Sequence, residues 1–295
     1  MYPSRFRYEA PRSIDEAISL LRDGGGEAKV LAGGQSLVPM MSAGFVDPEV
    51  LVDINRLPGL DRAAVVDGEV RVGALVRHRG LELAGAGLAG AAPLLPAAAG
   101  WISHDAVRNR GTMAGSLVHA DPSAEWPAVA VALDARIRLA RLGGEREVPA
   151  ARFFLGPLTA DVEPDELVVE VRLPVAPPRT GVGVRELAYR DGDYAVVGVA
   201  VQVSLDDAGT LAEVRTGLFG VDATPVRAAE AEAVLLEQGV EGLAAAARAA
   251  AAGVNPISDA TASEGYRRDM VEVFFARAVR AAVDQATAAG GPQGR

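Results

Sequence analysis

Arg108-Asn109-Arg110-Gly111-Thr112-Met113-Ala114-Gly115-Ser116-Leu117-Val118-His119-Ala120-Asp121-Pro122-Ser123-Ala124-Glu125-Trp126-Pro127 is the stretch on which the reading of this chain turns. Gly111 to Ser116 has the composition of a turn that cradles phosphate. Where no Cβ blocks the approach, several backbone N–H groups can close on a pyrophosphate, and neighbouring Ser or Thr hydroxyls add neutral donors. Upstream, Ala32-Gly33-Gly34-Gln35-Ser36 ends the short apolar run Lys29-Val30-Leu31 in the same way. Either loop alone is equally an ordinary tight turn, because glycine pairs are common turn residues. Two of them can clamp one dinucleotide from both sides.

Composition narrows the ligands and chemistry. The 295 residues suffice for two or three compact units, and 49% hydrophobic with 23% charged residues is a globular balance. A formal charge of −10 without any basic run argues against nucleic acid and anionic membrane surfaces, both of which need clustered Lys and Arg. Cysteine is absent, which excludes disulfides, thiolate nucleophiles, thiolate-bound zinc and any iron–sulfur cluster held by this chain alone. His78, His104 and His119 lie on separate segments and offer no metal site. Met1 to Phe6 contains no apolar signal-peptide core, and the Ala-rich tracts are too interrupted to span a bilayer, so a cytoplasmic protein with no membrane span is expected.

Along the chain, Ser13-Ile14-Asp15-Glu16 reads as a capping box opening a helix with Ile14, Ala17, Ile18 and Leu21 on one face. Val50 to Ile54 reads as a strand, Ala63 to Leu75 as a hairpin turning at Asp67-Gly68, Pro93 to Trp101 and Ser123 to Leu133 as helices, and Glu166 to Leu173 as a further strand. Trp101 and Trp126 are expected to fill core space. Pro174, Pro177 and Pro178 mark a boundary, beyond which three strands (182–190, 199–205, 212–221) precede helices, the longest over 264–288. Strands followed by helices predict an antiparallel α+β unit.

The quoted stretch resembles the R-N-R-G-T-x-[GA]-G-[NS]…A-D-P-x-x-[DE] segment of the flavoprotein, or medium, subunits of the xanthine dehydrogenase and carbon monoxide dehydrogenase family of molybdenum hydroxylases, and Ala32 to Ser36 is similar to that family's A-G-G-x-S. The resemblance covers nearly the whole chain. It implies an α+β fold of the PCMH or vanillyl-alcohol-oxidase (VAO) FAD-binding type: two α/β subdomains, 1–57 and 58–176, and a C-terminal α+β domain, 177–295, with a three-stranded antiparallel sheet and helices. No G-x-G-x-x-G opens a helix after the first strand, so a Rossmann reading does not apply.

The cofactor implied is FAD. Carried over position by position, the family pattern puts Ala32, Gly33, Gly34, Gln35 and Ser36, with Thr112, Met113, Ala114, Gly115 and Ser116, on its pyrophosphate, and Gly111 among the cofactor-binding residues. Ala114, Ser116 and Glu125 stand where Gly, Asn and Asp are more usual in the family. Glu125 matches an acidic position that accepts from ribityl or ribose hydroxyls; Asp121, followed by Pro122, reads first as a helix cap and second as a cofactor contact. Arg190-Asp191-Gly192-Asp193-Tyr194-Ala195 resembles a segment whose aromatic residue lies by the isoalloxazine, which would be Tyr194, and Arg185 is the nearest basic residue to a lysine the family often has there.

The function implied is that of an oxidoreductase subunit without a catalytic side chain. It takes electrons from a 2Fe-2S small subunit, in a complex with a molybdenum-cofactor large subunit, and passes them to an external acceptor. A dimer of heterotrimers is the expected assembly. A self-sufficient FAD oxidase of the same fold and a scaffold that has lost FAD are the alternatives; the first lacks a convincing set of catalytic residues here, and the second conflicts with the small residues and hydroxyls kept in both loops.

Overall fold

The computed structural model describes residues 3–289. Met1, Tyr2 and the last six positions of the expected C-terminal domain, 290–295, lie outside the described residues.

The N-terminal part is a parallel three-stranded sheet in the order Arg7–Glu9, Val50–Asp53, Ala28–Leu31. Its edge strand Arg7–Glu9 is only three residues long and was not anticipated. Helix Ile14–Asp23 supplies the crossover that parallel strands require, and Ala17, Ile18 and Leu21 are its buried face. Ser13 Oγ accepts from the Glu16 N–H at 3.2 Å, while the Glu16 carboxylate accepts from the Arg12 N–H at 2.8 Å, one residue before the usual capping-box donor. Strand Ala28–Leu31 runs into the first glycine loop, and strand Val50–Asp53 runs into Asn55. Both therefore sit beyond the carboxyl ends of parallel strands, where open sheets place their ligands.

The middle part is an antiparallel five-stranded sheet in the order Ala63–Val66, Glu69–Gly73, Leu167–Pro174, Arg136–Arg141, Gly144–Pro149. The expected hairpin turns at Asp67 (φ 52°) and Gly68 (φ 77°), positive at both positions as a two-residue type I′ turn demands. Helix Glu125–Ala132 is apolar along its length, and every residue from Trp126 to Ala132 is buried. It starts two residues later than the sequence suggested. Trp126 is a core residue, but Trp101 is 40% exposed. Helix Leu94–Ala99 stops before Gly100, so Trp101 falls in the following turn rather than on the buried face.

The C-terminal part is the expected antiparallel three-stranded sheet, Thr180–Ala188, Ala195–Leu205, Leu211–Phe219, with its central strand buried throughout. Helix Glu264–Ala289 lies on one face. The approach is close because Gly181 and Gly183 carry no side chain: a Cβ on either would stand 2.0 or 2.1 Å from the carbonyl oxygens of Ala282 and Ala278. Another glycine of this sheet does the same for helix Glu125–Ala132, since a Cβ on Gly217 would lie 2.2 Å from the Ala128 carbonyl oxygen. That helix belongs to the core shared by the first two parts and also packs on the third. The α+β class and the C-terminal sheet are as expected.

Candidate functional site: a cleft between two glycine loops

The two glycine loops touch. Gly33 is buried against the second loop, where a Cβ would fall 2.4 Å from the Arg110 carbonyl oxygen and 2.7 Å from the Gly111 Cα. Two side chains clasp the junction. Asn55 Nδ2 donates to the Ala32 carbonyl at 2.8 Å, while Arg77 donates to the Arg110 carbonyl through Nη1 and to Asn55 Oδ1 through Nη2. One guanidinium thus holds the second loop and, through Asn55, the first. Asp53 Oδ1 fixes the Asn55 amide at 2.6 Å, so its oxygen is left to face Arg77.

A cleft of about 700 Å³ opens where the loops meet. Its lining includes Ala32 to Ser36, Gly111, Thr112, Ala114 to Ser116, Asp121, Glu125 and Tyr194. Two of the residues expected here are elsewhere. The Met113 side chain is fully buried in the core, leaving only its backbone to the loop, and the Arg185 guanidinium turns back to the Val184 carbonyl at 2.7 Å. Met113 opens helix Met113–His119, which follows N-cap Thr112, and shares that helix's buried face with Ala114 and Leu117. Thr112 is itself buried, and its hydroxyl is engaged by the Gly115 N–H at 3.0 Å, which requires glycine there because a Cβ would lie 2.8 Å from that oxygen. Ser36 also precedes a helix, Leu37–Ala43, but makes no side-chain cap bond, so its hydroxyl stays free for a ligand.

Asp121 does not cap helix Glu125–Ala132. Its Oδ1 accepts from the Ser123 N–H at 2.8 Å and its carbonyl from the Ala124 N–H at 3.0 Å, an Asx turn that delivers Glu125 to the cleft. Tyr194 is 64% exposed at the rim. It is held there by its loop, in which Gly192 (φ 75°) is seated on the His104 ring and its carbonyl accepts from Ser103 Oγ at 3.1 Å.

Burial and neighbouring charge shift several groups in and beside the cleft. Burial pushes the Glu125 carboxyl up to about 7, with a smaller contribution from Asp121, and pushes Glu186 up to about 8, with Glu125 adding repulsion. Glu186 Oε2 is buried without a hydrogen-bond partner. His78 is moved the other way, to about 4, by burial and then by Arg77 and Arg108. Asn55, Arg77 and Glu186 were not foreseen, and His78 was foreseen only as the start of helix His78–Glu82. The one available signal for Asn55 was its place directly after a strand.

Neutral hydroxyls, small residues and a contact that tolerates no Cβ are the fittings a pyrophosphate needs, and the cleft continues to Glu125 and Tyr194 for the remainder of a dinucleotide. The sequence profile described as the FAD binding domain in molybdopterin dehydrogenase matches residues 4–176, both loops included. The chain belongs to that family. The profile of the CO dehydrogenase flavoprotein C-terminal domain matches residues 183–282 of the same FAD-binding subunit. Among curated relatives, the 6-hydroxypseudooxynicotine dehydrogenase complex subunit alpha of Paenarthrobacter nicotinovorans is 39% identical over 97% of each chain. The carbon monoxide dehydrogenase medium chain of Hydrogenophaga pseudoflava is 37% identical over 96% of this chain and 98% of its own. A solved structure of carbon monoxide dehydrogenase from that organism superposes with a TM-score of 0.92 at 39% identity, covering 97% of this chain and 99% of the other. The protein is thus an FAD-binding medium subunit of the molybdenum hydroxylase family, and an oxidoreductase component.

Proposed function

We propose that this subunit is the electron outlet of a three-component molybdenum hydroxylase. Bound FAD supplies a two-electron store that can be filled one electron at a time. The chain's own task is to bind and orient that cofactor: Ala32 to Ser36 and Gly111 to Ser116 hold the pyrophosphate, Glu125 meets a ribityl or ribose hydroxyl, and Tyr194 covers the ring at the rim and controls the acceptor's approach. Electrons arrive from a 2Fe-2S small subunit, substrate is oxidised on a molybdenum-cofactor large subunit, and the complex is a cytoplasmic dimer of heterotrimers. Units 1–57 and 58–176 sandwich the cofactor, and 177–295 completes the site.

The observation that carries this division of labour is the absence of any cysteine among the 295 residues, beside a cleft suited to a dinucleotide. Clusters that must deliver electrons to the flavin have to reside on another chain. The relatives named for carbon monoxide and for a nicotine derivative support a substrate chosen by the large subunit. The native complex, isolated by a tag on this chain and reduced anaerobically with its substrate, is expected to lose the visible absorbance of oxidised flavin within turnover time. Flavin that stays oxidised while the clusters are reduced contradicts the proposal.

A further inference from the structure

His78 is 5% exposed, yet its ring lines the cleft beside Gly111 and Thr112. The backbone fixes its place: the His78 N–H donates to the Gly111 carbonyl at 3.0 Å, and Arg77 bridges Thr112 in antiparallel fashion. The ring is fixed from its other side by Trp126, whose Nε1–H donates to His78 Nδ1 at 2.9 Å. An indole N–H can only donate, so Nδ1 must be a bare acceptor. Burial and the charges of Arg77 and Arg108 keep the imidazole from taking a second proton. The single proton is therefore on Nε2. That edge of the ring lies against the glycine loop, where a Cβ on Gly111 would stand 2.5 Å from Nε2 and 2.6 Å from Cδ2. Among the described residues, Nε2 has no acceptor.

We propose that His78 is a phosphate-binding residue, its neutral Nε2–H donating to the pyrophosphate at Gly111 and Thr112, and that Trp126 is the positioning residue that fixes its tautomer. This rests on the placement of the pyrophosphate at the two loops given above. A core histidine serving packing alone has no need to set its only N–H, without an acceptor, against the glycine loop that lines the cleft. A metal ligand is not indicated, because no group of three His, Asp or Glu side chains among the described residues is arranged to hold an ion.

Two substitutions separate the donor from the scaffold. In H78N the side-chain amide can still accept from Trp126 but cannot reach the Nε2 position; in H78Q the amide reaches that position and leaves the Trp126 N–H unpaired. FAD affinity of the refolded apo-chain is read by flavin fluorescence, ADP by competition, riboflavin as a ligand without phosphate, and folding by the thermal midpoint. H78N is expected to keep its midpoint and bind FAD and ADP about ten- to a hundredfold more weakly, the range for losing one hydrogen bond to a charged group, with riboflavin unchanged. H78Q is expected to melt lower yet bind FAD within about threefold of wild type, since the donor survives. Affinities that follow the melting order of the two variants overturn the proposal, as does H78N binding FAD like the wild type. Should either variant fail to fold, the His78 Nε2–H resonance of the ¹⁵N-labelled wild type decides: it is expected to shift on adding ADP, and an unmoved resonance overturns the proposal. G33A serves as the control for the loops themselves. If G33A binds FAD normally, the placement of the pyrophosphate fails and His78's part falls with it; if G33A loses FAD and H78N does not, only the assignment of His78 is wrong.

Discussion

Gly33 and Arg110 meet backbone to backbone, the Arg110 carbonyl oxygen standing 2.4 Å from where a Cβ on Gly33 would be. This contact joins a loop at the end of a parallel sheet to a loop of the antiparallel sheet's unit, and it makes one cleft out of two turns. Because the obstructing atoms are main-chain, they cannot rotate away. Gly33→Ala is therefore expected to cost about 2–3 kcal/mol of stability through overpacking and to weaken FAD binding at least tenfold. Thermal unfolding and an FAD titration of the same sample check both effects.

The Arg77 clasp depends on a fork. One nitrogen serves the Arg110 carbonyl and the other serves Asn55, which in turn holds Ala32. Lysine keeps the charge but presents a single point donor and cannot span both. Arg77→Lys should lower FAD affinity about tenfold and raise the dissociation rate, while the far-ultraviolet circular dichroism stays that of the wild type. Stopped-flow displacement of FAD measures the rate.

Glu125 and Glu186 give the apo-protein a pH signature. Their native pKa values, about 7 and about 8, lie above the ordinary glutamate value of 4.5, so the folded chain holds more protons than the unfolded one between those limits. Stability from these groups is fully present below about pH 4.5 and is lost as pH rises through 7 to 8. His78, lowered from 6.5 to about 4, opposes this only below pH 6.5. Between pH 6.5 and 8.5 the melting temperature should thus fall as pH rises, and Glu186→Gln should flatten the fall. A slope unchanged in that variant contradicts the assignment.

The seam with the C-terminal sheet turns on Gly217. Its substitution by alanine drives a Cβ to 2.2 Å from the Ala128 carbonyl and lifts the sheet from helix Glu125–Ala132. Two calorimetric transitions in place of one, with the C-terminal part melting separately, are expected of Gly217→Ala.

Much of this was readable in the residues. The Asp67-Gly68 hairpin, the Ser13 cap and the three C-terminal strands announce themselves because local chemistry decides them: φ above zero, a hydroxyl acceptor, alternation. What escaped depends on partners far along the chain. Arg7–Glu9 is a strand only because Val50–Asp53 is beside it. Asn55, Arg77 and His78 acquire roles only once residues 32, 110 and 126 are brought to them. Trp101 misled because large aromatics are usually buried, whereas here the helix ends at Ala99 and Trp101 falls in the turn that follows. Arg185 was chosen for charge, and its guanidinium is turned back to the neighbouring carbonyl. Spacing along the chain does not fix where a side chain points.

The most direct test of the account is an equilibrium titration of the refolded apo-chain with FAD, wild type beside Gly33→Ala, followed by flavin fluorescence. The wild type is predicted to saturate at one FAD per chain and the variant to bind at least tenfold more weakly. A wild-type chain that is folded and takes up no FAD, or a Gly33→Ala chain that binds it equally well, would contradict the claim that the two glycine loops together form the cofactor's seat.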